Sequence, residues 1–182
     1  PASGYPRWID ESSFADHFLL NELCKNVDAY RISTWFHKND SGKLTMGPVW
    51  DFNIALGNCR FASGSSTSGW SADGHSADSE DPVPFWWKRL LESAGFRRLI
   101  RERWKAFRAG PLATPELLAE IERKAKLLSA AQERNFVRWP VLGRRVWPNP
   151  DPVAKTWEVE ISRLRDWITA RAAWMDRELS SF

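Results

Sequence analysis

"NVDAYRISTWFHKNDSGKLTMGPVWDFN", residues 26–53, decides how the fold is read. Two runs rich in β-branched and aromatic residues, "YRISTWFHK" and "KLTMGPVW", flank the turn-forming "NDSG". That pattern predicts a β-hairpin. With Asp40 and Ser41 as a two-residue turn, Asn39 faces Gly42, Arg31 faces Trp50, Tyr30 faces Asp51, and Asp28 faces Asn53. Directly opposed residues have Cβ atoms roughly 5 Å apart. A longer turn shifts this register by a residue or two, yet still brings Asp28 and Asp51 to the same end of the hairpin.

Asp51 lies between Trp50 and Phe52. Burying an ionised carboxylate unpaired costs on the order of several kcal/mol. The expected solution is a strand end whose aromatic flanks pack and aim Asp51 into a pocket opposite Asp28. Two carboxylates at one sheet end repel unless a cation lies between them, one is protonated, or a base compensates. Lys25 and Arg31 flank Asp28 and can pair with it. The alternative is a hard, oxygen-rich Mg²⁺ or Mn²⁺ site, to which Asn53 adds an oxygen.

Upstream, "DESSFADHFLLNELCKN" predicts a helix capped by Ser12 or Ser13. Phe14, Phe18, Leu19 and Leu23 share one face, and the helix ends near Lys25–Asn26. Downstream, the serine- and glycine-rich residues 62–81 lack apolar periodicity, and their length marks a flexible or functional loop. Beyond it come helices with a break near Ala94–Gly95. One begins at Thr114–Pro115, with Leu117, Ile121, Leu128 and Ala131 facing a core. A last helix carries Trp157, Ile161, Leu164, Ile168 and Met175. The chain thus reads as one partial α+β domain, mostly α-helical: residues 1–61 with the helix and hairpin, the loop 62–81, and the helical part 82–182.

Composition narrows the function classes. The 182 residues carry a net charge of +3, and the basic residues lie among helical acids rather than in a stripe, which argues against nucleic acid. No apolar run reaches the roughly 18–20 residues needed to span a bilayer. The charge is uneven, with 6 Lys/Arg against 11 Asp/Glu up to Asp81 and 20 against 12 beyond it. Twelve tryptophans predict an aromatic core, or else an exposed platform for sugars, with Trp70, Trp86 and Trp87 as candidates. Cys24 and Cys59 form no zinc motif and either pair or stay as thiols, and His17, His37 and His75 have no partner at metal-ligand spacing.

The stretch "LLNELCKNVDAYRISTWFHKNDSGKLTMGPVWDFNIALGN" resembles the core of the CotH family, the spore-coat-protein-H-like atypical protein kinases of bacteria. "RLLESAGFRRLIRERW", "ERNFVRWPVLG" and "EISRLRDWITARAAWMD" resemble the same family's helical part. The resemblance implies a kinase-like C-terminal lobe, one β-hairpin followed by a helical bundle. It also implies phosphoryl transfer from ATP, with Mg²⁺ or Mn²⁺, to Ser/Thr hydroxyls of a protein substrate. In protein kinases a catalytic-loop Asp precedes a β-hairpin and a metal-binding Asp follows it. By resemblance Asp28 takes the catalytic position and Asp51 the metal position, with Asn53 as second ligand and Asn26 and Asn58 as auxiliary cofactor-binding residues.

The departures from that pattern are Ser33, where kinases place a metal-binding Asn and which the hairpin reading puts in the first strand, and Asn53, where relatives often carry a second Asp. No glycine-rich loop followed by a strand lysine is present, and the chain begins at Pro1. An upstream nucleotide-clamping lobe is therefore expected to lie outside it, leaving this fragment inactive alone. Secretion is expected from the resemblance only. The competing reading is a catalytically inactive scaffold or surface-assembly module that kept the fold.

Overall fold

The computed structural model describes residues 4–74 and 82–182. His75 and residues 76–81 of the predicted loop lie outside the described residues. The chain is α+β and mostly helical: α1 (Glu11–Cys24), β1 (Phe36–His37), β2 (Thr45–Met46), α2 (Phe85–Glu92), α3 (Ala94–Arg108), α4 (Thr114–Arg138) and α5 (Trp157–Ser180).

The centre of the fold is α1. Asp10, not Ser12 or Ser13, is its N-cap: the carboxylate accepts from the amides of both serines. Ser13 is used otherwise, its hydroxyl donating to the Asp10 carbonyl and accepting from the Met46 amide, which fastens β2 to the start of α1. Phe14, Phe18, Leu19 and Leu23 are buried as their spacing predicts. The helix ends at Lys25, whose left-handed backbone (φ 46°) lets its amide and that of Asn26 close on the Glu22 and Asn21 carbonyls.

Tryptophan fills the core, but only in part. Trp87 is fully buried against Phe14, His17 and Tyr30, with ring centroids 6.0, 5.8 and 5.0 Å away. His17 is thus a core histidine, and burial pushes its pKa down. Trp70 packs on Trp174 at 4.6 Å and Trp86 on Trp87 at 4.8 Å. Trp70, Trp86 and Trp87 therefore do not form the exposed sugar platform considered from sequence. Trp104 is buried in α3, and its indole N–H donates to Asp176 of α5 at 2.9 Å. Arg108 adds two bonds of 3.0 Å to the same carboxylate.

Ser93 separates α2 from α3 and caps α3 by accepting from the Phe96 amide. That break is one residue earlier than the Ala94–Gly95 expected. Thr114 is the first residue of α4 rather than its cap. The stripe on α4 meets the core only in part, where Leu117 and Ile121 pack against it half-buried. The helix buries none of its residues fully, and Leu128 is 44% exposed, because α4 packs along α5 at the edge.

The deepest polar contact joins α1 to α5. Glu22 and Arg171, 149 residues apart, form an ion pair at 3.0 Å with both side chains fully buried. Each is satisfied on its other side. Glu22 also accepts from the Ser71 and Ala72 amides at 3.0 and 2.8 Å. Arg171 donates to the Glu22, Thr67 and Gly69 carbonyls. Burial raises the Glu22 pKa and the Arg171 charge opposes that rise. Residues 62–74, expected as part of a flexible loop, are fastened by this pair. They are held further by Lys25 on the Ser68 carbonyl and the Trp167 indole on the Ser65 carbonyl. Gly64 has no room for a side chain, since a Cβ would lie 2.8 Å from Val27 Cγ1 and 2.7 Å from Cys59 Cβ.

Removing one partner of a buried ion pair strands the other charge, at a cost of roughly 3–5 kcal/mol. Arg171→Met is expected to lower the unfolding free energy by about that much in denaturant titration, with Glu22→Gln/Arg171→Met less destabilised than Arg171→Met. An Arg171→Met protein as stable as the parent contradicts this role for the pair.

Candidate functional site

The hairpin is shorter and one residue out of the expected register. Phe36 pairs with Met46 and His37 with Thr45, and one further bond, from the Gly47 amide to the Trp35 carbonyl at 2.8 Å, closes the ladder. Arg31, Tyr30 and Asp28 are therefore not cross-strand partners of Trp50, Asp51 and Asn53. Residues 27–32 turn instead, with the Arg31 and Ile32 amides both donating to the Asp28 carbonyl at 3.2 and 3.1 Å. Trp50 is 58% exposed, so the aromatic flanks do not pack as a pair, and Asp51 is itself exposed. The difficulty of a carboxylate between aromatics is resolved by solvent.

A buried asparagine, rather than a sheet, joins the two segments. Asn26 is fully buried. Its Oδ1 accepts from the Asp28 amide at 3.3 Å, and its Nδ2 donates to the Asp51 carbonyl at 3.2 Å. The same amide group reaches the Trp50 carbonyl at 3.5 Å and Asn21 Oδ1 at 3.4 Å. One side chain thus holds the Asp28 turn and the Asp51 segment to the end of α1. A second link comes from Ser33, whose hydroxyl donates to Asp51 Oδ2 at 3.2 Å. Ser33 lies before β1 and not inside it. Both residues adopt left-handed backbone, φ 50° at Ser33 and 61° at Asp51, a region that aspartate tolerates better than most side chains.

Asp28 is half-buried and pairs with Arg31, Nη2 to Oδ1 at 2.8 Å. Of its two flanking bases, Arg31 takes the carboxylate, while Lys25 turns to the Ser68 carbonyl. Asn53 and Asn58 are exposed, and the Asn58 amide donates to the Asn53 carbonyl at 3.0 Å, bracing the loop after Asp51. Asn53 lines a cavity of about 700 Å³ that runs along α5 past Trp157 and Trp167. Cys24 and Cys59 are free thiols, and burial pushes Cys24 up to about 12.

Among the described residues no group of three or more His, Cys, Asp or Glu side chains could hold a metal. The donor set that exists is sparse and hard: the Asp51 carboxylate, exposed to solvent and braced by Ser33, with the Asn53 amide oxygen two residues on. That fits Mg²⁺ or Mn²⁺, which bind through one or two carboxylates and take their remaining ligands from water and phosphate. It does not fit zinc. The Arg31–Asp28 pair is one of the two expected from the flanking bases, whereas the bridging roles of Asn26 and Ser33 were not foreseen. The "N-V-D" spacing was the available signal for Asn26, because an asparagine two residues before a turn readily bonds the backbone ahead of it.

Asn26→Ala leaves the buried carbonyl and amide partners unsatisfied, at about 1–3 kcal/mol. The expected outcome is that loss in unfolding free energy together with faster hydrogen exchange at the Asp28 amide. Unchanged exchange there would contradict the bridging role.

Comparison with known proteins gives one family match: the family described as CotH kinase protein aligns over residues 1–175. No curated protein and no solved structure matches the chain. Among the described residues no helix is long and apolar enough to cross a membrane.

Proposed function

The chain belongs to the CotH kinase protein family, and on that premise we propose that it carries the two aspartates of a metal-dependent phosphoryl transfer from ATP to serine or threonine hydroxyls of a protein substrate. The observation that supports this reading most is the Asn26 bridge, which sets the Asp28 turn and the Asp51 segment against one buried side chain.

Asp28 is the residue to orient the acceptor hydroxyl and take its proton, a role for which a carboxylate must come within hydrogen-bond reach of that hydroxyl. Its Oδ1 is engaged by Arg31, so the acceptor approaches the other oxygen or displaces the guanidinium. Asp51 is the metal ligand, with Ser33 fixing the orientation of one carboxylate oxygen. Asn53 offers a neutral second oxygen, and Asn58 positions it by holding the backbone. A divalent cation bound there would neutralise charge on the nucleotide phosphates, the main demand of phosphoryl transfer.

No glycine-rich phosphate loop with its lysine occurs in this sequence, and ATP binding is to be measured on the longest natural form of the protein. The second reading, an inactive scaffold, is favoured by the Arg31–Asp28 ion pair, which occupies the base, and by the neutral Asn53 in place of a carboxylate.

Two variants separate these readings in the full-length protein. Asp51→Ala is expected to abolish Mn²⁺-dependent ATP binding, and retained affinity would remove Asp51 from the metal site. Asp28→Ala is expected to keep that affinity while phosphate incorporation into a serine-rich protein falls by roughly 10²–10⁴-fold. A parent protein that labels no such substrate supports the scaffold.

A further inference from the structure

Beside the C-terminal end of α1 lies a cavity of about 660 Å³, within the range of small-ligand sites. Lys25, Arg31, Ser66, Ser68, Trp70 and Asp73 contribute to its walls. Lys25 is the unusual member. It is only 2% exposed, its ammonium donates to the Ser68 carbonyl, and no described carboxylate lies within ion-pair distance of it. Buried charges are ordinarily paired.

The surrounding charges make the imbalance plain. Arg171 repels Lys25, and Glu22, the acid that offsets this repulsion, is already bound to Arg171 and to two backbone amides. Burial and the Arg171 charge hold the Lys25 pKa down to about 8. Lys25 and Arg171 thus share one acid, Glu22. Asp73 is the carboxylate on the cavity wall, and burial raises its pKa.

Arg31 also connects this cavity to the site. Its guanidinium bonds Asp28 at 2.8 Å while its side chain lines the cavity. We propose that the cavity is an oxyanion subsite that receives a phosphorylated or carboxylate side chain flanking the acceptor hydroxyl of the protein substrate. This rests on the reading of Asp28 as the acceptor-side residue. An oxyanion here gives Lys25 the counter-charge that no described carboxylate supplies, and the Ser66 and Ser68 hydroxyls add neutral donors. It also competes with Asp28 for Arg31, freeing the carboxylate as the substrate binds.

The test uses the full-length protein and three peptides identical except at one position next to a serine: O-phosphoserine, aspartate or alanine. Calorimetry is expected to find the phosphoserine peptide at least about tenfold tighter than the alanine peptide, with aspartate between, a difference of about 1.4 kcal/mol or more. Lys25→Met is expected to erase that order and Lys25→Arg to keep it. Equal affinity of the parent protein for all three peptides overturns the proposal without any variant, as does a preference that survives in Lys25→Met. Because Lys25→Met can fail to fold, ³¹P line broadening of the phosphopeptide by the parent protein, reversed by the aspartate peptide, provides a second readout. Preference without phosphate transfer removes the kinase reading and leaves the subsite, whereas transfer without preference removes the subsite alone.

Discussion

The buried Glu22–Arg171 ion pair is the constraint on which the rest of the structure depends. It joins the first long helix to the last across 149 residues, and both members are fully desolvated. Buried pairs of this kind add little net stability relative to apolar groups, since desolvation offsets the attraction. Their effect is geometric. Only one arrangement satisfies Glu22 with Ser71, Ala72 and Arg171 together, and only one satisfies Arg171 with the Thr67, Gly69 and Glu22 carbonyls. The Ser/Gly-rich segment is thereby sewn between α1 and α5, and its small residues allow the approach that Gly64 requires.

That constraint positions the candidate site. By fixing α1 against α5 it fixes the end of α1, where Lys25 turns left-handed and Asn26 projects inward. Asn26 then holds Asp28 and Asp51, two segments separated by the hairpin in sequence. The hairpin itself pairs two residues per strand, β1 exposed and Met46 of β2 buried in the core, and it does not align the aspartates by cross-strand pairing. The candidate site is thus built on a helix end and a buried amide. Lys25 lines the neighbouring cavity from the same helix end, so the proposed acceptor-side residue and the proposed oxyanion subsite share one support.

Much of this was legible in the sequence where local physics governs. The buried face of α1, the helices beyond residue 82 and the meeting of the Asp28 and Asp51 segments followed from periodicity and turn chemistry. The family resemblance agreed with the later family match. The register did not follow, because Phe36 pairs with Met46 and His37 with Thr45, one residue beyond the partners that a two-residue turn at Asp40–Ser41 implies. Nor did the exposure of Trp50 and of Leu128 on α4, since amphipathic patterning does not say whether a neighbouring layer exists to cover a face. Least legible were Glu22–Arg171 and the Asn26 bridge. A pair spanning most of the chain leaves no local pattern, and one buried asparagine looks in sequence like any turn residue.

Whether Asp28 and Asp51 serve one metal–nucleotide site is read most directly by paramagnetic broadening of assigned backbone amides in the full-length protein on addition of Mn²⁺·ATP. Selective loss of the resonances around Asp51–Asn53 and Asn26–Asp28 together is expected, with those of α4 unaffected. Broadening confined to other segments, or at Asp51 with the Asp28 turn untouched, would contradict it.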